Sequence, residues 1–368
     1  MNVQSGQIVV LRLFEVAYEI DLKQAESVWT ERSGGNSTRS RLVGTPAKAV
    51  SFGVPPLVLD LGPLTLQIGE QLLPVFASVR LYDFGIAAIA LRLPVREIGW
   101  VEFSRLANEA SQAIGLTSTS QIWDGLLERL RNVIAEAFIR PTAIPLQEDY
   151  LIAVVEAFDQ PVSAQALLDR MDLVPLLSGR DRELSEGARR DLLEHHFSYF
   201  TDDLAVVTWD RAFLYEPQRE TDVADVLEIA NAQLLEMRVY DEMLDAELPR
   251  MRAMIDAARG RTSLFASRRY ARLARRLHGV VAEVSELTER VDNALQVTED
   301  VYLARVYASA MDLFRVPNVT AAVDRKLAII RDTYMALHSE AAGARAELLE
   351  LVVLILIFVE VIMSLIRH

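Results

Sequence analysis

A chain of 368 residues, half of them apolar, is long enough for a sizeable core and for two domains. It has no cysteine, which removes disulfides, thiolate metal sites and cysteine nucleophiles and leaves His, Asp and Glu as metal-capable side chains. A formal net charge of −14 argues against a general nucleic-acid binder. The N-terminus has no basic leader and breaks its apolar run with Arg12 and Glu15, so it does not read as a signal peptide.

Residues 7–20 alternate as a strand, and Asp21 then caps a short helix to Trp29. The segment 32–46 (RSGGNSTRSRLVGTP) is a polar, glycine-bearing loop. A strand follows near 48–61, with Pro55 and Pro56 marking an edge or a bend. Residues 74–82 and 86–93 are β-rich runs joined by a tight hairpin at Asp83-Phe84-Gly85. Helices are expected over 97–114 and 120–138, the second opened by Ser118-Thr119-Ser120. Asp149 to Phe158 reads as a buried strand, followed by helices near 163–171 and 185–199 and a last hairpin, Val206 to Tyr215, about Trp209-Asp210-Arg211. Strands interleaved with helices, with at least one hairpin, predict an α+β head over residues 1–218 on a mixed or antiparallel sheet.

From Thr221 the pattern is helical alone. Val223, Leu227, Ala230, Leu234, Met237, Leu244, Leu248, Met251 and Ile255 fit a heptad, with Asp241 as a polar intruder and Pro249 expected to kink the helix or end it near Asp245. Gly260 to Ser263 reads as a helical hairpin turn, and Val280, Val284, Leu287, Val291, Ala294 and Val301 continue at heptad spacing. Pro317-Asn318 then breaks the chain before a final helix. There Val323, Leu327, Ile330, Tyr334, Leu337, Ala341, Ala344, Leu348, Leu351, Ile355, Phe358, Ile362 and Leu365 alternate spacings of four and three. The expectation is a coiled-coil-like stalk over 219–347 that runs, as one helix about 70 Å long, into a hydrophobic helix over 348–368.

The last stretch, LLELVVLILIFVEVIMSLIRH, is nearly continuously apolar over nineteen positions, a reach of roughly 28 Å against a bilayer core of about 30 Å. Glu360 opposes insertion by about 2.5–3.5 kcal/mol, and the apolar residues offset it by several kcal/mol. The pattern predicts a single C-terminal anchor at the cytoplasmic face of the inner membrane, with lipid as a partner; a helix buried in an oligomer is the alternative. The residues of this membrane or oligomer helix are Leu348, Leu351, Ile355, Phe358, Glu360, Ile362 and Leu365, with Glu350 and Glu360 held off the seam. A seam kept this long points to a homo-oligomer.

Candidate chemistry is sparse. Seven arginines and no acid occur from Ala257 to Ala282 (Arg259, Arg261, Arg268, Arg269, Arg272, Arg275, Arg276), after a stretch carrying ten acids against three arginines. This basic patch either faces the acidic helix or offers anionic lipid or RNA a surface. All but three of the 38 basic residues are arginine, so that preference carries no information by itself. Asp191 and His195, one helical turn apart, and the adjacent His196 are weak candidates for a metal or an acid–base pair. Phosphate-binding glycine loops and paired-histidine metal motifs are absent from the sequence, so no cofactor and no small-molecule substrate are indicated.

The segment Leu349 to Val361 (LELVVLILIFVEV) resembles the close of the "required for meiotic nuclear division" family, a domain of unknown function whose members end in Leu-Glu, an aromatic, an apolar run and Glu-Val. Glu350 and Glu360 fall where that pattern has its glutamates, and 324–340 (DRKLAIIRDTYMALHSE) is similar to the family's last coiled helix. Leu351 stands where the family has its aromatic, and 344–347 lacks its basic, histidine-bearing approach, which suggests a distant bacterial relative. The resemblance implies a membrane-associated, oligomeric, non-catalytic protein and supplies no active-site residues; a mitochondrial member of that family is linked to translation. The expected function is therefore a tail-anchored scaffold or adaptor. The alternatives are a hydrolase with a carboxylate and histidine site in the head, and an RNA- or ribosome-associated adaptor using the arginine cluster.

Overall fold

Strand-length runs of Val, Ile, Leu and Ala with little alternation, such as IVVLRLF (8–14) and LIAVVEAF (151–158), belong to strands covered on both faces. The computed structural model bears this out; it describes residues 1–33, 37–39, 50–51, 54–115, 121–143, 145–180, 182–259, 275, 278–279, 282, 296–297 and 301–366. Its centre is a nine-stranded sheet in the order β10-β11-β12-β9-β1-β7-β6-β5-β3. The strands are β1 (Asn2–Glu15), β3 (Ser37–Arg39), β5 (Leu57–Ile68), β6 (Gln71–Leu81), β7 (Ile86–Gly99), β9 (Gln147–Phe158), β10 (His196–Phe197), β11 (Leu204–Val207) and β12 (Arg211–Tyr215). Two small pairs flank it, β2 (Ala17–Ile20) with β8 (Phe138–Pro141) and β4 (Val50–Ser51) with β13 (Gln296–Val297). Only β9 and β12 run parallel among the main-sheet pairs, so the sheet is mixed and the α+β class holds.

One face of the sheet carries α2 (Trp100–Ile114) and α3 (Ile122–Ile134). Ile8, Val10 and Phe14 of β1 join Phe103, Ala107, Trp123 and Leu130 in the main core. Arg12 points into this side; its Nη2 donates to the Ile114 carbonyl at 3.1 Å and its guanidinium lies 4.9 Å over the Trp123 ring. The opposite face meets the first part of α7 (Asp222–Arg259), where Arg80 of β6 and Tyr82, just past its end, reach Asp225 and Glu228. Tyr150 of β9 packs edge-on against Phe314, just after α8 (Val301–Leu313). The hairpin expected at residues 83–85 is present: Gly85 has φ +91, and a Cβ there would lie 1.9 Å from the Ala17 carbonyl oxygen. Asp21 caps α1 (Leu22–Ser33), accepting from the Lys23 and Gln24 amides at 3.0 Å.

Two compact units divide the chain: Met1–Glu236 with Arg290–Pro317, and Met237–Glu289 with Asn318–His368. The first extends past residue 218 and takes in the opening turns of α7 and the whole of α8. In the second unit, Pro249 lies inside a helix that continues to Arg259, so the expected end near Asp245 does not occur. Lys326 of α9 (Val316–Ile366) holds the turn before that proline, reaching Asp241 Oδ1 at 2.7 Å and Asp245 Oδ1 at 2.6 Å. The break before the last helix falls at Arg315, with φ +59, and Pro317 sits inside the first turn of α9, where its missing N–H leaves no bond unmade. At 51 residues α9 is about 76 Å long.

Among the described residues no helix is long and apolar enough to cross a membrane, which corrects the expected transmembrane, tail-anchored helix and the inner-membrane location derived from it. The two glutamates supply a physical reason. Leu351–Val359, the uncharged run between Glu350 and Glu360, is nine residues, about 14 Å of helix against roughly 30 Å of hydrocarbon. Leu348, Leu351 and Leu365 lie on the helix backbone, outside the described side chains. The helical turn at 260–263, the heptad positions Val280, Val284, Leu287, Val291 and Ala294, and the 34–36 and 40–46 parts of the loop also lie outside the described residues.

Candidate functional site

The site of greatest chemical interest lies at one end of the sheet in the first unit, where β1 begins and β7, β9 and β12 end. Strand β1 is irregular there: its pairing with β9 shifts register between Val3 and Ser5 and again between Ser5 and Gly6. A Cβ on Gly6 would lie 2.4 Å from the Val154 carbonyl oxygen, so only glycine lets the two backbones approach this closely. On the other flank Glu97 of β7 has φ +52, and in the turn after β12 Arg219 has φ +61. These are two of the four non-glycine residues with positive φ among the described residues. Each left-handed residue costs on the order of 1–3 kcal/mol, and such strain concentrates at ligand sites.

Between them opens a groove of about 560 Å³ lined by Gln4–Gln7, Pro94–Glu97, Glu156 and Arg219. That volume falls within the roughly 300–1,000 Å³ of small-molecule sites. Gln7, Glu156 and Arg219 also line a smaller cavity of about 80 Å³ between the sheet and the start of α7, which Arg92, Glu216, Thr221 and Glu228 help to form. At about 30 Å³ per water the inner space holds two or three waters or one small polar group.

Several charges here are committed. Glu156 Oε2 accepts from Ser5 Oγ at 2.7 Å and pairs with Arg219 Nε at 3.3 Å. Arg80 is bracketed by Asp225 at 2.7 Å and Glu228 at 3.3 Å, and Tyr82 donates to Glu228 at 2.9 Å. Burial pushes the Glu228 carboxyl above its ordinary range, opposed by Arg80. Glu216 differs. Its Oε1 accepts the Gln218 amide at 3.2 Å, and among the described residues it has no cationic partner within ion-pair distance. Burial, reinforced by Asp203, Glu220 and Asp202, raises its pKa to about 7. Arg92 donates to Ser78 Oγ, has no carboxylate within ion-pair distance among the described residues, and is held below its usual pKa by desolvation.

The histidine candidates are not part of this site. Helix α6 (Glu186–Leu193) ends before them, so Asp191 and His195 do not stand one turn apart on a helix. His195 Nδ1 lies 3.0 Å from Ser309 Oγ and His196 Nδ1 lies 2.8 Å from the Leu193 carbonyl, while Asp191 is exposed. His195 sits beside Val207, at the opposite end of β12 from Glu216. No group of three metal-capable side chains occurs among the described residues. Of the basic patch, Arg275 is exposed and Arg259 ends α7; Arg261, Arg268, Arg269, Arg272 and Arg276 lie outside the described residues. Trp209 is 72% exposed at the tip of the β11–β12 hairpin.

Sequence reasoning missed the groove because four segments assemble it, each of which reads as the end of a strand. Two signals were present: a glycine inside the otherwise bulky strand β1, and the turn Glu216-Pro217-Gln218-Arg219-Glu220-Thr221 between a buried strand and a long helix.

Residues 5–222 match the family described as "Uncharacterized protein MJ0711, N-terminal domain". The chain belongs to that family. Over 246 residues it is 23% identical to the uncharacterized protein MJ0711 of Methanocaldococcus jannaschii, an alignment covering 67% of this chain and 72% of that protein. No solved structure matches it. Neither sequence match is to the "required for meiotic nuclear division" family, so that resemblance is corrected. It rested on an apolar tail with two glutamates, a pattern many helices satisfy, whereas the family match lies wholly in the head. Apart from Gln4, the lining of the open groove falls inside the MJ0711-type domain.

Proposed function

We propose that this protein is a non-catalytic adaptor that self-associates through the distal part of α9 and presents its MJ0711-type head from the resulting assembly. One observation carries the reading. Seven consecutive apolar residues, Val353 to Val359, are each between 47 and 66% exposed. Seven residues make nearly two helical turns, so the apolar surface runs all round the helix, as it does in helices enclosed by others. With Ile362 and Met363, also exposed, this is roughly 900 Å² of apolar surface per chain. A monomer's largest patch is typically about 300–600 Å², and a standard interface buries about 800 Å² per partner.

A second copy is the occupant the sequence favours. Ile355, Phe358 and Ile362 keep the same alternating spacing as Val323, Leu327 and Ile330, which are buried within the chain. Glu360 lies off that line, where it need not be desolvated. Light scattering of the full chain is expected to give an oligomer, and Ile355→Asp with Phe358→Asp a monomer with unchanged helical content. A wild-type chain that stays monomeric at high micromolar concentration sinks the reading.

A further inference from the structure

Large aromatic side chains are usually mostly buried, yet Tyr199 and Phe200, in the loop that joins β10 to β11, are both more than half exposed. The loop is built to hold them there. Asp203 is buried behind it, and its Oδ1 accepts from the Ser198 hydroxyl at 3.0 Å and from the Tyr199 and Phe200 amides at 2.8 and 3.0 Å. The Thr201 carbonyl accepts the Ala164 amide at 3.0 Å, which pins the same loop to the start of α4 (Ala164–Arg170). The two rings meet edge to face at 4.8 Å. Tyr199 also packs at 5.4 Å on Tyr302, in the first turn of α8 beside the exposed Val301. An aromatic platform fixed in this way loses little conformational freedom when a partner covers it.

The surroundings of the platform are acidic. Asp202 is exposed in the same loop, and Asp203, Glu220 and Asp202 add to burial in raising the pKa of Glu216, so these four carboxyls share one region of the head. Among the described residues, Asp202 and Glu220 have no cation within ion-pair distance. Of the cations nearest in sequence, Arg219 is tied to Glu156 at 3.3 Å, and Arg305 lies one turn past Tyr302 on α8, so the acids prevail. From this geometry we propose that the β10–β11 loop and the start of α8 dock an arginine-bearing segment of a partner protein, a guanidinium lying on the Tyr199 and Phe200 rings with Asp202 as its counter-charge. A cation is attracted by the electron-rich ring faces, and a planar guanidinium both stacks on them and forks onto a carboxylate. Lysine brings the charge without the plane, and a neutral or acidic segment gains nothing from the acids. The docking surface lies wholly in the first unit and does not rest on assembly through α9.

The test is fluorescence anisotropy on the full chain near physiological salt, with labelled hexa-arginine and hexa-lysine peptides as probes. Their charge is equal, so attraction to an acidic protein alone gives equal affinities. Hexa-arginine is expected to bind at least about threefold more tightly. Tyr199→Ala with Phe200→Ala leaves every charge in place; it should weaken hexa-arginine about tenfold and abolish its advantage over hexa-lysine. Asp202→Asn should weaken both peptides about twofold, because it removes charge and not stacking. The comparison of the two peptides on the unaltered chain needs no variant, so a misfolded variant leaves the test intact. Equal affinity for the two peptides overturns the proposal, as does no binding of either at millimolar concentration. So does an arginine preference that survives loss of both rings, which would place the stacking surface elsewhere. Because Ile355→Asp with Phe358→Asp leaves the head untouched, loss of assembly and loss of peptide binding are separable outcomes.

Discussion

Replacing Gly179 by alanine should cost the head far more when Arg211 is present than when it is absent. Arg211 leaves β12 as a nearly buried guanidinium, donating to Asn108 Oδ1 at 2.7 Å, the Leu176 carbonyl at 2.9 Å and Ser111 Oγ at 3.2 Å. It thereby ties the strand to α2 and to the short helix α5 (Val174–Ser178). Arg211→Ala strands those acceptors, at about 1–3 kcal/mol for each that stays dry, for a total of about 3–5 kcal/mol. Gly179 closes α5 with φ +63, and a Cβ there would lie 2.2 Å from Arg211 Nη2. Gly179→Ala therefore carries about 1–2 kcal/mol of left-handed strain plus whatever Arg211 loses by moving, about 2 kcal/mol. In an Arg211→Ala background only the strain remains, so the double-mutant cycle should show a coupling near 2 kcal/mol. All four tryptophans, Trp29, Trp100, Trp123 and Trp209, belong to the first unit, so fluorescence-detected urea unfolding of the full chain reports the head. Costs that add within about 0.5 kcal/mol would show that the guanidinium does not occupy the space above Gly179.

Two further outcomes concern the opposite face of the sheet, towards the start of α7. Glu216 binds a proton more tightly folded than unfolded, so its contribution to stability is complete below about pH 4.5 and is lost as pH rises to about 7. Comparing urea midpoints across that window, Glu216→Gln should remove this downward slope, and an unchanged slope would place the perturbed group elsewhere. Tyr82→Phe removes the donor to the buried Glu228 carboxylate without opening a cavity, and should lower head stability by about 1–3 kcal/mol with unchanged circular dichroism. A neutral result would mean that Arg80 alone satisfies Glu228.

The head was legible because strand and turn signals are local. Residues 71–99 form the expected hairpin around Gly85, and Ser163 caps α4 (Ala164–Arg170), accepting from the Ala166 amide at 3.3 Å. Legibility failed where long-range packing overrides a local rule. Pro249 argues for a helix end, but neighbouring turns anchored to Lys326 carry the helix through. DLLEHHFSYF reads as a helix through the histidines, whereas pairing of His196 and Phe197 with Val206 and Ala205 draws them onto the sheet edge. The groove left only two local traces, Gly6 and the turn at 216–221, because its lining residues are brought together only through the order β12-β9-β1-β7, which no single segment encodes. Arg211 likewise reads as a hairpin residue, and only the fold reveals it as a clamp on two helices.

The last helix separates two meanings of one periodic pattern. Its seam is uniform in sequence, yet Val323, Leu327 and Ile330 are at most 8% exposed while Ile355 and Phe358 are 53 and 66% exposed. Serine at Leu327 and Ile330 therefore cannot report on assembly alone. Each removes a buried side chain at about 2–5 kcal/mol and should loosen the chain's own helical packing first. Leu337, the next seam residue with Tyr334, lies outside the described side chains. Serine at Ile355, Phe358 and Ile362 should do the reverse. It takes nothing from the monomer's core, so thermal unfolding at dilution stays within about 0.5 kcal/mol of wild type, while light scattering at high concentration shows the oligomer dissociating. The concentration dependence of the wild-type melting temperature is the internal control, since association stabilises by mass action. If the distal serines leave assembly intact and the proximal ones abolish it without unfolding the chain, the proximal seam is the interface, and its burial within one chain is an arrangement that assembly replaces.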